Sequence, residues 1–255
     1  MEIAAWSPLV DYVLIDDAPG ARLGMVCFHF AGGSAQSYFR WRHATAGCAL
    51  VAAELPGRGR RLREEFAPSL HAAAAALASS FRALARDMAE RRPGLSWVFF
   101  GHSLGALVAY ETARLLGGPG SGGPDRLIVS ARHGPGWQPA SSGLPDLSDP
   151  ALLDYLREMG GTPRVLLENR ALMEMALPIL RADLGLIYGY GHVPGPPLDI
   201  PILAIGASED DRVPLEALVA WRGTTRAEFR LRIVSGGHFA LLDQPGIVFD
   251  AALNG

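Results

Sequence analysis

Residues 101–105, with the sequence Gly-His-Ser-Leu-Gly, constrain the fold more than any other part of the chain. They follow an apolar run at 95–100 and precede a helix-like stretch at 106–116. A serine at such a strand-to-helix turn has a strained backbone, and the flanking glycines let the chain turn tightly and the helix pack close. The pattern predicts a nucleophile elbow, with Ser103 exposed at the carboxyl edge of a sheet.

Short apolar runs alternate with helical patterns along the chain. The runs are at 23–30, 48–53, 97–100, 127–131, 200–205 and 229–234. Near-continuous apolar strands of this kind suit a parallel sheet that is buried on both faces. We therefore expect an α/β fold with a mostly parallel central sheet flanked by helices. No long linker divides the 255 residues, so residues 1–255 are predicted to form one domain.

Residues 146–192 interrupt this alternation, because they contain no good strand. Ser148 or Asp149 is a helix cap, and a first amphipathic helix ends at Gly160 and Gly161. A second helical stretch begins at Pro163 and is rich in Leu and Met. A helical insertion between two strands is typical of a lid over an active site. The alternative is that its apolar residues are simply core, and a lid buries one face in either case.

A nucleophilic serine needs a base and an acid that orients the base, and on this fold they follow in the order Ser, Asp or Glu, His. His238 follows the last predicted strand, in a loop where two glycines allow the imidazole to return over the sheet edge. The acid is expected directly after the strand 200–205, where Glu209, Asp210 and Asp211 lie. We predict Asp210, with Asp211 as the alternative.

The oxyanion hole is predicted from two backbone N–H groups. Small residues in the loop 29–34 allow the backbone to approach a ligand closely, and the elbow helix presents free N–H groups at its N-terminus. We assign the N–H groups of Ala31 and Leu104. An ordinary glycine turn is the alternative for the loop, and the sequence does not determine which N–H points inward.

Composition limits the other function classes. A net charge of −3 offers no basic face for nucleic acid. The sequence has no signal-peptide pattern and no apolar run of membrane-spanning length, so a cytoplasmic protein without a membrane partner is expected. The histidines have no metal-ligand spacing, so no metal site is predicted. Cys27 and Cys48 are expected to be buried free thiols.

Taken together, these stretches resemble type II thioesterases, the free-standing α/β-hydrolases that accompany polyketide synthases and nonribosomal peptide synthetases. The segments that carry the resemblance are 30–34, the Pro-Gly-Arg run at 55–61, the elbow, 146–149, 160–163, 180–183, 194–198 and 237–239. The resemblance implies an acyl thioester substrate on the phosphopantetheine arm of a carrier protein, and the removal of aberrant or stalled acyl groups. It supports Ser103, Asp210 and His238 as the triad.

The mechanism implied by this resemblance passes through an acyl-serine and requires no cofactor or metal. The partner is an acyl or peptidyl carrier protein in transient contact, and a monomer is the simplest expectation. Arg58, Arg60 and Arg61 are candidates for contact with the acidic carrier or the phosphate of its arm, because arginine suits both. A solvated loop is the alternative.

Two other functions share most of these features. A serine esterase or peptidase on the same fold would keep the triad and lose the preference for a carrier, and a comparison of oxyester with carrier-bound thioester would separate the two. A non-catalytic carrier-docking protein need not keep Ser103, Asp210 and His238 in order.

Overall fold

The structure is a computed structural model that describes residues 10–45, 47–137, 146–162 and 164–254. These residues form a seven-stranded sheet. The strands are β1 (Tyr12–Asp16), β2 (Leu23–Phe28), β3 (Ala49–Ala53), β4 (Ser96–His102), β5 (Arg126–Ser130), β6 (Ile202–Ala207) and β7 (Phe229–Val234).

The strand order is β1-β3-β2-β4-β5-β6-β7, and every neighbouring pair is parallel except β1 with β3. The prediction of a mostly parallel sheet is confirmed, with strand ends displaced by one or two residues. The apolar runs do not include β1, because only its first two residues, Tyr12 and Val13, are buried. A short edge strand that is half exposed gives a weak hydrophobic signal.

Helices lie on both faces of this sheet. The α-helices of the described residues are α1 (Leu70–Arg91), α2 (Leu104–Leu116), α3 (Asp149–Met159), α4 (Arg164–Leu167), α5 (Arg170–Tyr188), α6 (Leu215–Val219) and α7 (Pro245–Asn254). Shorter 3₁₀ helices are Ala35–His43, Gly59–Arg61, Pro119–Ser121, Ala220–Thr224 and Ala240–Asp243. Within the part of the chain that is described, no helix combines the length and the apolar character needed to cross a bilayer.

The central strand β4 contributes to two separate cores, because successive side chains point to opposite faces of a strand. Phe99 packs against Phe81 of α1, with 4.9 Å between ring centroids. Phe100 faces the other side, where its ring centroid is 5.3 Å from that of Trp41, and Trp41 in turn contacts Phe249 of α7. The elbow at the end of β4 is therefore held between two packed layers.

The helical insertion (α3 to α5) lies between β5 and β6, as the sequence pattern predicts. The α3 helix has Ser148 at its N-cap and ends at Gly160, whose positive φ of 68° suits glycine. The second predicted stretch is divided into α4 and α5, because the Asn169 side chain accepts a hydrogen bond from the Leu172 N–H and starts a new helix. Pro163, where that stretch was expected to begin, lies outside the described residues.

Apolar side chains of the insertion form a small core of their own. Leu152 of α3 packs with Leu177, Leu180 and Leu184 of α5. Ala31, from the loop after β2, is partly buried against the same cluster. The insertion is thus seated directly on the loop that was predicted to supply an oxyanion donor.

Candidate active site

Ser103 occupies the turn between β4 and α2. Its backbone conformation, φ 54° and ψ −116°, is one that residues other than glycine rarely adopt. Such strain persists only where the surrounding structure enforces it, and it clusters at functional sites. The Ser103 N–H donates to the carbonyl of Ser130 at the end of β5, at 2.9 Å. The turn is therefore tied to the neighbouring strand and presents the serine at the carboxyl edge of the sheet.

The two glycines of the elbow are required by close backbone contacts. A Cβ on Gly101 would lie 2.2 Å from the carbonyl oxygen of Gly105, and a Cβ on Gly105 would lie 2.0 Å from that of Phe28. Both distances are far below a van der Waals contact, and the atoms that would be met are backbone atoms, which cannot move aside as the end of a flexible side chain can. These glycines allow α2 to start directly against β2 and β4, which sets the direction of the Ser103 side chain.

His238 and Asp210 are hydrogen-bonded to each other, with 2.7 Å between the Nδ1 atom of His238 and the Oδ2 atom of Asp210. Both side chains are buried. Within the described residues, the opposite ring nitrogen of His238, Nε2, is buried and has no hydrogen-bond partner. A carboxylate on one nitrogen and a free second nitrogen is the arrangement of a general base.

Hydrogen bonds between two loops explain why Asp210 is the carboxylate that meets His238. The loop after β6 and the loop after β7 are joined by the Glu209 N–H, which donates to the Gly236 carbonyl at 2.9 Å. Asp210 is then turned inward, while Glu209 and Asp211 are exposed. Only one of the three carboxylates is buried, as expected from the cost of burying several charges.

Ser103 and His238 line the same cavity, which has a volume of about 470 Å³. Ala31 and Gly32 line it as well, next to the elbow. Most of its remaining wall comes from the helical insertion and is largely apolar, including Tyr155, Leu156, Met159, Leu172, Met173 and Leu180. The space beside the serine is therefore large enough for a small acyl group and provides apolar contacts for it.

The two backbone donors predicted for the oxyanion hole are both free of partners within the described residues. The N–H groups of Ala31 and Leu104 have no hydrogen-bond acceptor among the residues that the structure describes. The next two N–H groups of the loop do have acceptors: the Gly32 N–H donates to Asp183, and the Gly33 N–H donates to the Phe30 carbonyl. The N–H groups predicted to form the oxyanion hole, those of Ala31 and Leu104, therefore remain available to a ligand.

The structure contradicts the hypothesis that Arg58 contacts a carrier protein. Its side chain is 3% exposed and forms a two-pronged ion pair with Asp183 of α5, at 2.5 and 2.8 Å. The run of arginines predicted an exposed side chain, but the Arg58 guanidinium is paired with a buried carboxylate. The sequence signal that was missed is Asp183 itself, an acidic residue within the apolar face formed by Leu180 and Leu184.

The other two arginines of that run differ from each other. Arg61 is largely committed within the protein, since it pairs with Asp11 and Glu64 and donates to the Glu54 carbonyl at 2.9 Å. Arg60 is exposed. Of the three predicted contacts, only Arg60 has a side chain that is open to a partner.

His102, beside the nucleophile, forms a hydrogen bond with the neighbouring strand, with 2.7 Å between its Nδ1 atom and the Oγ atom of Ser130. Its ring also lies against His238, with 5.3 Å between centroids. Burial, together with repulsion from His238, holds the pKa of His102 well below its usual range. A neutral His102 ring places no like charge beside the imidazolium that would form on His238 when it takes a proton from Ser103.

His29, at the start of the predicted oxyanion loop, is buried and neutral. Burial first, and repulsion from Arg58 second, lower the pKa of His29 to about 4. Its Nδ1 atom lies 3.0 Å from the Phe30 carbonyl, and its Nε2 atom accepts from the Leu55 N–H at 3.4 Å. One donor and one acceptor on the ring match a neutral imidazole.

This neutral state predicts a loss of stability in acid. His29 binds a proton with a pKa of 6.5 in the unfolded chain and of about 4 in the folded chain. The contribution of neutral His29 to the free energy of unfolding is therefore complete above pH 6.5 and is lost as the pH falls toward 4. Between pH 7 and 4.5 the expected loss is about 2.5 kcal/mol of unfolding free energy. Urea unfolding at both pH values should show that His29→Gln removes this part of the pH dependence. The exposed control His43→Gln should keep it.

Among residues 10–45, 47–137, 146–162 and 164–254, no group of three or more His, Cys, Asp or Glu side chains is arranged to hold a metal ion. The groups around the cavity are instead a serine, an imidazole paired with a carboxylate, and two backbone donors. This set can perform nucleophilic acyl transfer.

Comparison with known proteins identifies the family. The sequence matches the thioesterase domain family over residues 24–253. It is 31% identical to the gramicidin S biosynthesis protein GrsT of Aneurinibacillus migulanus, over 88% of this chain and 84% of that protein. It is 35% identical to the thioesterase PikA5 of Streptomyces venezuelae, over 89% and 78%.

A solved structure agrees with these relatives. The type II thioesterase BorB from the borrelidin biosynthetic cluster superposes with a TM-score of 0.79 at 31% identity, covering 95% of this chain and 96% of BorB. The resemblance to type II thioesterases of polyketide and nonribosomal peptide pathways is confirmed. The chain therefore belongs to the thioesterase domain family of the α/β-hydrolase fold, and it is a thioester hydrolase of the type II class.

Proposed function

We propose that Ser103, His238 and Asp210 form the catalytic triad of an editing thioesterase, which hydrolyses acyl thioesters on the phosphopantetheine arm of carrier proteins. The observation that carries the proposal is the Asp210–His238 hydrogen bond of 2.7 Å, with a free His238 Nε2 atom beside the cavity that Ser103 lines. In polyketide or nonribosomal peptide synthesis, the reaction would clear aberrant or stalled acyl groups from the synthase.

The first half of the reaction forms an acyl-enzyme. Asp210 accepts the Nδ1–H of His238, so that the lone pair on Nε2 takes the proton of the Ser103 hydroxyl as its oxygen attacks the thioester carbonyl. The N–H groups of Ala31 and Leu104 stabilise the negative charge that develops on the carbonyl oxygen. The C–S bond then breaks, and His238 returns the proton to the departing pantetheine sulfur.

The second half of the reaction releases the acid. Water gives a proton to the Nε2 atom of His238 and attacks the acyl-serine carbonyl, and the same two N–H groups hold the second oxyanion. Breakage of the ester bond regenerates the Ser103 hydroxyl with the proton from His238. Serine, imidazole, carboxylate, backbone donors and water suffice for every step, so the proposed mechanism uses no cofactor or metal.

The helical insertion acts as a lid in this proposal, within a single domain spanning residues 1–255 and with the lid at about 146–192. Its support is that α3 and α5 supply most of the apolar wall of the 470 Å³ cavity. An acyl chain held there would be shielded from bulk water while its carbonyl lies at Ser103. Because this wall is extended and apolar, we expect the hydrocarbon part of the acyl group to be the part of the substrate that the cavity recognises.

The proposed partner is an acyl or peptidyl carrier protein in transient contact, and the enzyme is proposed to act as a monomer. Arg60 is the arginine of the 58–61 run that is exposed to such a partner. A cytoplasmic location suits the thiols of Cys27 and Cys48, which are free and buried.

A comparison of substrates tests this function. One acyl group is presented as a carrier-bound thioester, as a pantetheine thioester and as a simple oxyester, and release of the free acid is followed for each. We expect kcat/KM to be highest for the carrier thioester, by about tenfold or more over the oxyester, because carrier contacts contribute binding energy. Cleavage of the oxyester with no reaction on the carrier thioester would instead indicate a serine esterase on the same fold.

A further inference from the structure

The buried ion pair between Arg58 and Asp183 joins three segments that are distant in sequence. Arg58 lies in the Pro-Gly-Arg run after β3, and Asp183 lies on α5 of the helical insertion. The third segment is the loop after β2: the Gly32 N–H donates to the Oδ2 atom of Asp183 at 2.8 Å, and the Arg58 guanidinium lies 3.4 Å from the Gly33 carbonyl. One carboxylate of the insertion thus holds the loop that contains Ala31.

The geometry of this contact bears directly on the Ala31 N–H. The peptide planes on either side of Ala31 share only its Cα atom, so their mutual orientation depends on two dihedral angles. Asp183 holds the plane that contains the Gly32 N–H, and Gly32 itself has a φ of 78°, a left-handed conformation. Because the peptide that contains the Gly32 N–H is fixed, the preceding peptide, which contains the Ala31 N–H, can point in fewer directions.

Stability alone is a poor explanation for the pair. Both side chains are almost completely buried: Arg58 is 3% exposed and Asp183 is 0% exposed. Burying two charges costs about as much free energy as their attraction returns, and apolar residues of similar volume often replace such pairs without loss of stability. The surroundings are suited to that replacement, because Leu180 and Leu184 on the same helix are part of an apolar cluster. What an apolar pair could not supply is an acceptor for the Gly32 N–H.

We propose that Asp183 and Arg58 are positioning residues that orient the Ala31 N–H toward the oxyanion. Arg58 orients the Asp183 carboxylate through its two contacts, and the carboxylate holds the Gly32 N–H. Because Asp183 belongs to α5, the hole has its active geometry only when the insertion is seated on the loop. Transition-state stabilisation is thereby linked to the position of the lid. The inference rests on the proposed function, since it assigns a role within the same site.

The variant Asp183→Asn tests the proposal at nearly constant side-chain volume. The amide removes the charge that Arg58 orients and leaves a weaker and misdirected acceptor for the Gly32 N–H. We expect kcat to fall at least about tenfold, approaching the 10²-fold or greater effect of removing one oxyanion donor, with KM changed less than about twofold. The active fraction is counted with a covalent serine titrant, so that misfolded enzyme does not contribute to the measured loss.

Two ligands provide a readout that a purely structural role would leave unaffected. An alkylboronic acid that adds to Ser103 forms a tetrahedral anion in the hole, whereas a thioether analogue of the substrate forms no such anion. In Asp183→Asn the boronic acid should lose affinity in proportion to kcat, and the thioether should bind as it does to the native enzyme. Equal weakening of both ligands would overturn the positioning role.

The matched control is Glu174→Gln, on the same helix. It makes the same change from carboxylate to amide, but Glu174 pairs with Arg170 in an exposed ion pair away from the loop. Its kcat and its boronic acid affinity should remain native. A loss in Glu174→Gln equal to that in Asp183→Asn would assign the effect to general loosening of α5 and contradict the proposal.

The double variant Arg58→Met with Asp183→Leu covers the case in which Asp183→Asn does not fold. Apolar replacement removes both charges together and restores packing without providing an acceptor for the Gly32 N–H. We expect this variant to fold and to remain impaired in kcat and in boronic acid binding. Native activity in the folded double variant would overturn the proposal. If the native enzyme itself has no Ser103-dependent hydrolysis of thioesters, the proposed function fails instead, so the two failures are distinguishable.

Discussion

Replacing Ser103 with alanine is expected to lower kcat/KM on a carrier-bound thioester by about 10⁴- to 10⁶-fold. The variant lacks the oxygen that attacks the carbonyl, and His238 has no equivalent nucleophile to activate. The remaining rate would come from the oxyanion donors and substrate binding alone. Because the Ser103 side chain caps no N–H of α2, the unfolding midpoint should change little. The loss would therefore be chemical and not structural.

Intact-mass measurement makes this expectation decisive. Native enzyme mixed with acyl-carrier should gain the mass of one acyl group before the free acid appears, and Ser103→Ala should gain none. The matched control is Ser121→Ala, at an exposed serine that ends the 3₁₀ helix Pro119–Ser121 after α2; this variant should form the adduct and turn over normally. An acyl adduct on the Ser103→Ala enzyme would show that another residue is the nucleophile.

Replacing Asp210 with asparagine is expected to reduce kcat by about 10⁴-fold. The asparagine amide keeps the shape of the side chain but cannot accept the Nδ1–H of His238 and stabilise the imidazolium at the same time. The ring would then favour the tautomer whose Nε2 atom carries a proton, which cannot take one from Ser103. Steady-state turnover of the carrier thioester measures the loss.

Asp211→Asn is the matched control for this variant. The two carboxylates are adjacent in sequence and were the two candidates for the triad acid, but Asp210 is buried against His238 and Asp211 is exposed. Asp211→Asn should retain close to native kcat. The opposite pattern, with activity lost in Asp211→Asn and kept in Asp210→Asn, would contradict the role assigned from the 2.7 Å hydrogen bond.

Local patterns predict much of the fold because its central strands and long helices are strongly apolar on their buried faces. The six parallel strands and the helical insertion follow from such runs, and the family resemblance agrees with them. The edge strand Tyr12–Asp16 does not follow, because it is buried for two residues only and pairs antiparallel with β3. The division of the second helix of the insertion depends on the capping hydrogen bond of Asn169, which is a local polar signal within an apolar pattern.

The sequence by itself determined the order of the parallel strands and the helical insertion, the strained turn at Ser103 and the place of His238 after the last strand. Each of these depends on local spacing or on glycine next to a close backbone contact. Only the tertiary structure decided which carboxylate meets His238, since that depends on hydrogen bonds between two loops. It also decided that Arg58 is buried, because its partner Asp183 is 125 residues away along the chain. A charged residue in a sequence is expected at the surface, but it can be buried where the fold brings a residue of opposite charge to it.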